Sequence, residues 1–266
     1  MSDLLREQDI KVALINWLYN KGLLENATLI NEMVVANWSR RVDLAIANGH
    51  LQAFEIKSDF DTLKRLDGQL ATFTSRFEKV TVVCSSRFTY EVTKKVQPDV
   101  GIIEFSNTIR GVKFKVVQRG RLSNINNKRV FLGFLLKKEL AKILLENEIY
   151  TQNGSSRSYL ENLAENISLA KIRDFTLRAI KTRYQETSDS YVGMLIQNKK
   201  ITNQDLNLLS KAKKKKELES IYLNVLSNSS TQSNLSFHKI DVEDFINKHG
   251  GDINVIPQNV LKRVIK

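Results

Sequence analysis

Along the first hundred residues the apolar positions change period several times, and each change marks an element. Between Asp3 and Leu24, Leu4, Ile10, Leu14, Trp17 and Leu18 recur at spacings near three and four, the period of an amphipathic helix, which ends near Gly22. LINEMVVANWS is a β-rich run. VDLAIA and LQAFEI then read as short strands joined across Asn48-Gly49, a dipeptide that favours hairpin turns. Helical spacing returns after Asp61 through Leu63, Leu66, Leu70 and Phe73. KVTVVCSS and VGIIEFS are two further buried strands, separated by RFTYEVTKKVQPD, which predicts a short helix, and GVKFKVVQRG alternates as a final strand. Helices interleaved with strands in this order predict a mixed α/β layer with one sheet.

After Gly120 the pattern turns helical. RLSNINNKR is polar and reads as a linker; FLGFLLKKELAKILLENEI is one helix; SYLENLAENISLAKIRDFTLRAIKTRY gives two helices separated around Ile167-Ser168. From Gln185 the chain reads as helical pieces with polar breaks such as SNSSTQSNLS. The expected organisation is an α/β domain over 1–118, a linker over 119–130, and a mainly helical, basic C-terminal domain over 131–266.

Composition narrows the chemistry. No run approaches the roughly 20 apolar residues of a membrane span, and MSDLLREQDIK carries charges where a signal peptide needs an apolar stretch, so a cytoplasmic protein is expected. The single cysteine, Cys84, excludes an intrachain disulfide and a cysteine-rich zinc site. His50, His238 and His249 have no metal-ligand spacing, which leaves carboxylates as candidate ligands. The net charge of +12 is lopsided: 16 basic against 14 acidic residues through Gln118, and 25 against 15 thereafter. Such asymmetry points to a polyanion, DNA foremost, because neutralising phosphates releases condensed counterions. Lys213, Lys214 and Lys215 in the run SKAKKKKELES, with Arg173, Arg178, Lys181 and Arg183 before it, are the candidate phosphate contacts in this half. A solvated basic face would show the same pattern.

Candidate site chemistry concentrates between Arg41 and Gln69. Residues two apart on a strand share a face, so Glu55 and Lys57 project together while Ile56 points into the core. Asp43, on the partner strand, can approach the same end of the sheet. Ionised groups in so apolar a setting are costly without partners or a role. Two carboxylates suit a hard cation, Mg²⁺ or Mn²⁺, and a lysine beside them can orient a water or face a phosphate. Asp61, Arg65 and Gln69, at steps of four, should form a polar stripe on the following helix.

The string RVDLAIANGHLQAFEIKSDFDTLKRLDGQL, followed by KVTVVCSS, resembles a bacterial and phage group within the PD-(D/E)XK superfamily, in which R-x-D, E-I-K-S-D and D-T-L-x-R-L-x-x-Q recur together. The likeness covers roughly residues 1–105 and extends into the helices of 131–184. Val42 stands where the superfamily's name has proline. The resemblance implies a restriction-endonuclease-like mixed sheet flanked by helices and a Mg²⁺-dependent deoxyribonuclease; it gives the chemistry and not the biology, for which phage defence or DNA repair is the expected setting. Asp43, Glu55 and Lys57 would be catalytic, with Gln69 on phosphate or the metal-bound water. An additional acid would be Glu32 or Glu7, and Arg41 and Arg65 would contact nucleic acid. Two alternatives accompany it: a nuclease-fold module that binds without cutting, and an effector silent until a protein partner activates it. A homodimer is compatible with each.

Overall fold

The computed structural model describes residues 4–35, 40–197, 201–209, 237–239 and 259–261. The chain divides into two compact units, Met1–Lys215 and Lys216–Lys266. In the second, the described residues form a two-stranded antiparallel ladder, Phe237–Lys239 against Asn259–Leu261. The lysine run, including Lys213, Lys214 and Lys215, lies outside the described residues.

The first unit is built on one mixed sheet. Helix α1 (Glu7–Asn20) precedes β1 (Thr28–Val35), β2 (Arg40–Ala47) and β3 (Leu51–Lys57); a 3₁₀ turn then leads into α2 (Leu66–Thr74). Next come β4 (Lys79–Ser85), α3 (Thr89–Lys95), β5 (Gly101–Thr108) and β6 (Gly111–Gln118). The six strands lie in sequence order. β3, β4 and β5 run parallel at the centre, and the outer pairs are antiparallel. The central strands are buried on both faces: KVTVVCS is mainly apolar, and LQAFEIK is buried although it carries Glu55 and Lys57, while edge strand β6 alternates instead. Cys84 is buried within β4.

Two cores clamp the sheet. On one face Ile10, Leu14, Ile15 and Leu18 of α1 pack on Leu44, Phe54, Ile56, Val83 and Phe105. On the other, Leu66, Leu70 and Phe73 of α2 pack on Val42, Ala45, Ala53, Val82 and Cys84. The helical segment beyond residue 127 belongs to the same unit, for Phe134, Leu177 and Ile180 complete that second core. The polar stretch of 119–127 is extended and tied down: Arg121 N–H donates to the Asp99 carbonyl and Ser123 N–H to that of Glu78, each at 2.8 Å.

Three element boundaries differ from the sequence expectation. The helix expected over 131–149 is two, α4 (Lys128–Phe134) and α5 (Lys137–Glu146), because Leu135 and Leu136 are extended and Glu139 caps the Leu136 N–H at 2.7 Å. After α6 (Arg157–Ala164), α7 runs unbroken from Leu169 to Ile196, beyond the expected end near Tyr184. Its length lets it pass β1, where Ser188 Oγ accepts from the edge N–H of Leu29 at 2.9 Å, and enter the first core through Tyr191 and Leu195. Asp61 is not on a helix: α2 begins at Leu66, and Asp61 instead accepts from the Ser58 N–H at 2.9 Å. The expected stripe of Asp61, Arg65 and Gln69 is therefore broken.

Candidate functional site

A gap in the sheet creates the site. The β2–β3 ladder stops at Leu44 and Phe54, while β2 continues pairing with β1 and β3 with β4 as far as Lys57. The two strands splay, and the Asp43 carboxylate enters the gap to accept the otherwise unpaired Ile56 N–H at 2.7 Å. Phe54 and Ile56 face the α1 core. Glu55 and Lys57 therefore face α2, as the two-residue period requires.

Both are almost completely buried, at 1% and 3% exposure, and Lys57 Nζ lies 2.6 Å from Glu55 Oε1. Gln69, one turn into α2, accepts from Lys57 Nζ at 2.9 Å and donates through its amide to Glu55 Oε1. Glu55 Oε2 is buried with no protein partner. Burial pushes the Asp43 carboxyl well above its usual range, and the Glu55 and Glu7 charges add to that; the Ile56 N–H and Lys11 act against it. Burial also raises Glu55, against the Lys57 ammonium. The sheet thus holds two facing carboxyl groups that disfavour ionising together.

Of the two candidate additional acids, Glu7 lies near enough to bear on Asp43 and Glu55. Glu32 turns the other way. Its φ of 56° interrupts β1 between Asn31 and Met33, and its carboxylate sits 3.5 Å from Arg41. Arg41 and Arg65 are exposed, and Arg40 reaches over α2 at Gly68.

Lys11 belongs to the cluster and went unnoticed in the sequence. It is 1% exposed, 3.0 Å from Glu7 and 2.9 Å from Asn31 Oδ1. The available signal was a Glu7–Lys11 pair at i, i+4 with the lysine among Ile10, Val12, Leu14 and Ile15. All four α7 bases that looked like phosphate contacts meet protein groups. Arg173 meets Glu78 at 2.6 Å and the Gly49 carbonyl at 2.8 Å, Lys181 the Asn26 carbonyl at 2.9 Å, and Arg183 both Glu139 and the Phe134 carbonyl. Arg178 is exposed near Glu146.

Among the described residues, no three His, Cys, Asp or Glu side chains form a preassembled metal cluster. Asp43 and Glu55 nevertheless fit a hard cation that keeps several waters, since such an ion is held by one or two carboxylates. The orphaned Glu55 oxygen is the group such an ion would satisfy.

Comparison with known proteins corrects the sequence reading. The family model described as Bacteriophage P4 protein cII matches residues 1–210. A curated relative, "Protein cII" of Enterobacteria phage P4, is 53% identical over 265 residues, covering 100% of both chains. No solved structure matches. These matches overturn the identification as a PD-(D/E)XK nuclease. With it go the expected Mg²⁺-dependent deoxyribonuclease activity, its assignment to phage defence or repair, and the non-cutting and partner-activated alternatives. The motifs behind that identification are short, and a buried Glu55–Lys57 pair beneath a helix glutamine satisfies them without phosphodiester chemistry. The chain belongs to the bacteriophage P4 protein cII family.

Proposed function

We propose that the Asp43–Glu55–Lys57–Gln69 cluster is a ligand-binding site that takes one divalent cation, Mg²⁺ or Mn²⁺, and through it a phosphate-bearing ligand. The observation that carries this reading is the buried Glu55 Oε2 without a partner, facing a carboxyl group that resists ionisation. Burying a carboxylate oxygen unsatisfied costs about 1–3 kcal/mol, which a cation would recover. The site's protonation and its loading are then coupled, because the cation binds the ionised acids. Lys57 would meet a phosphate oxygen as a compact point charge, and Arg41 and Arg65 stand exposed as further anion contacts.

Duplex DNA is the first phosphate-bearing ligand to test, given the +12 charge. Fluorescence anisotropy of a labelled duplex should show binding that strengthens with Mn²⁺ and weakens with EDTA. Asp43→Asn should remove the cation dependence. Affinity indifferent to Mn²⁺, EDTA and Asp43→Asn would separate DNA from this site.

A further inference from the structure

We propose a second ligand site, for a small amphipathic carboxylate, in a cavity of about 310 Å³ on the α1 face of the sheet. It lies where β3, β4 and β5 begin, at the opposite end of the strands from Glu55 and Lys57. Its volume falls at the lower end of the roughly 300–1,000 Å³ of small-molecule sites.

The lining is two-sided in character. Trp17 of α1, with Phe54, Ile103 and Val116 of the sheet, gives an apolar body, and Trp17 is held by a ring contact with Phe114 at 5.6 Å. Lys79 and Arg119 supply the positive end, and Arg119 is exposed. Neither has an acidic partner among the described residues, and no carboxylate lines the cavity. Lys11 is matched by Glu7, Arg41 by Glu32, Lys57 by Glu55 and Lys95 by Asp67, and the unmatched Lys113 and Lys115 of β6 do not line the cavity. Two unmatched cations over an apolar recess complement a ligand with a carboxylate head and a hydrocarbon body, and a guanidinium takes a carboxylate by two parallel hydrogen bonds. A neutral body of the same size would leave the charged end unused, and a cation would be repelled.

Isothermal titration of the full chain with decanoate, decanol and decyltrimethylammonium tests this. Decanoate should bind saturably at one site, decanol roughly tenfold or more weaker, and the cation not at all. The double variant Lys79→Met/Arg119→Met, at a half-buried and an exposed position, should bring decanoate to the level of decanol. Val116→Trp, at a 46% exposed position of the edge strand, should block both while leaving the thermal transition in place. Absence of saturable decanoate binding would overturn the proposal. So would equal affinity for decanoate and decanol, or binding unchanged by Val116→Trp.

Discussion

Lys57→Met isolates the electrostatics of the cluster. The substitution nearly preserves volume, so its cost comes from leaving Glu55, 1% exposed, with only the Gln69 amide for company. Breaking a buried ion pair by removing one partner costs about 3–5 kcal/mol, a large share of the roughly 5–15 kcal/mol that holds a domain together. The double variant Glu55→Gln/Lys57→Met removes both charges and should recover most of the loss. Folded Glu55 already titrates above its usual 4.5 through burial, and losing the Lys57 ammonium raises it further. An acid with a raised folded pKa binds more protons folded than unfolded, so it lowers stability as pH rises through that window. The Lys57→Met penalty should therefore be largest at pH 8 and shrink toward pH 5. Urea unfolding followed by circular dichroism at both pH values, with unchanged slope, measures it. A penalty below about 1 kcal/mol, independent of pH, or a double variant as unstable as the single, would refute the buried-pair reasoning.

Three further outcomes follow from the same geometry. Asp43→Asn removes a carboxyl whose ionisation is opposed by burial, Glu55 and Glu7, so without divalent cation it should raise the melting temperature, more at pH 8 than at pH 5; a lower melting temperature at pH 8 would contradict this. Glu32→Gly relieves a left-handed backbone at φ 56° and loses only a partly exposed contact with Arg41, so urea titration should show a gain of about 0.5–1 kcal/mol. Gly101→Ala would place a Cβ 2.8 Å from Thr81 Oγ1 and 3.1 Å from the Gly120 nitrogen, and should cost about 1–3 kcal/mol by the same assay.

The sheet was readable because its signals are local. The apolar runs of β2 and β4, the short Leu51–Ile56 stretch of β3, and Asn48-Gly49 with Gly49 at φ 93° each fix their own element. The meeting of Asp43, Glu55 and Lys57 followed from strand period and hairpin pairing. Features set by distant partners were not readable. The break at Leu135–Leu136 depends on the Glu139 cap, and the full length of α7 depends on β1 needing cover at Leu29. Arg173 looked like a phosphate contact, yet its geometry is decided by Glu78, 95 residues away, which also accepts the Leu51 N–H at 2.8 Å. Glu32 lies on an expected strand, but its left-handed φ turns it toward Arg41. The family was misread because short motifs around one buried pair matched a wider pattern, whereas the relative matches over the whole chain.

Calorimetric titration of Mn²⁺ into EDTA-stripped protein, comparing the parent chain with Asp43→Asn and Glu55→Gln, tests the proposed cation site most directly. One saturable site in the parent is expected, lost or weakened at least tenfold in each variant, with proton release at pH 6 as the raised carboxyls ionise. Mn²⁺ binding of equal affinity in all three proteins, or none in the parent, would contradict it.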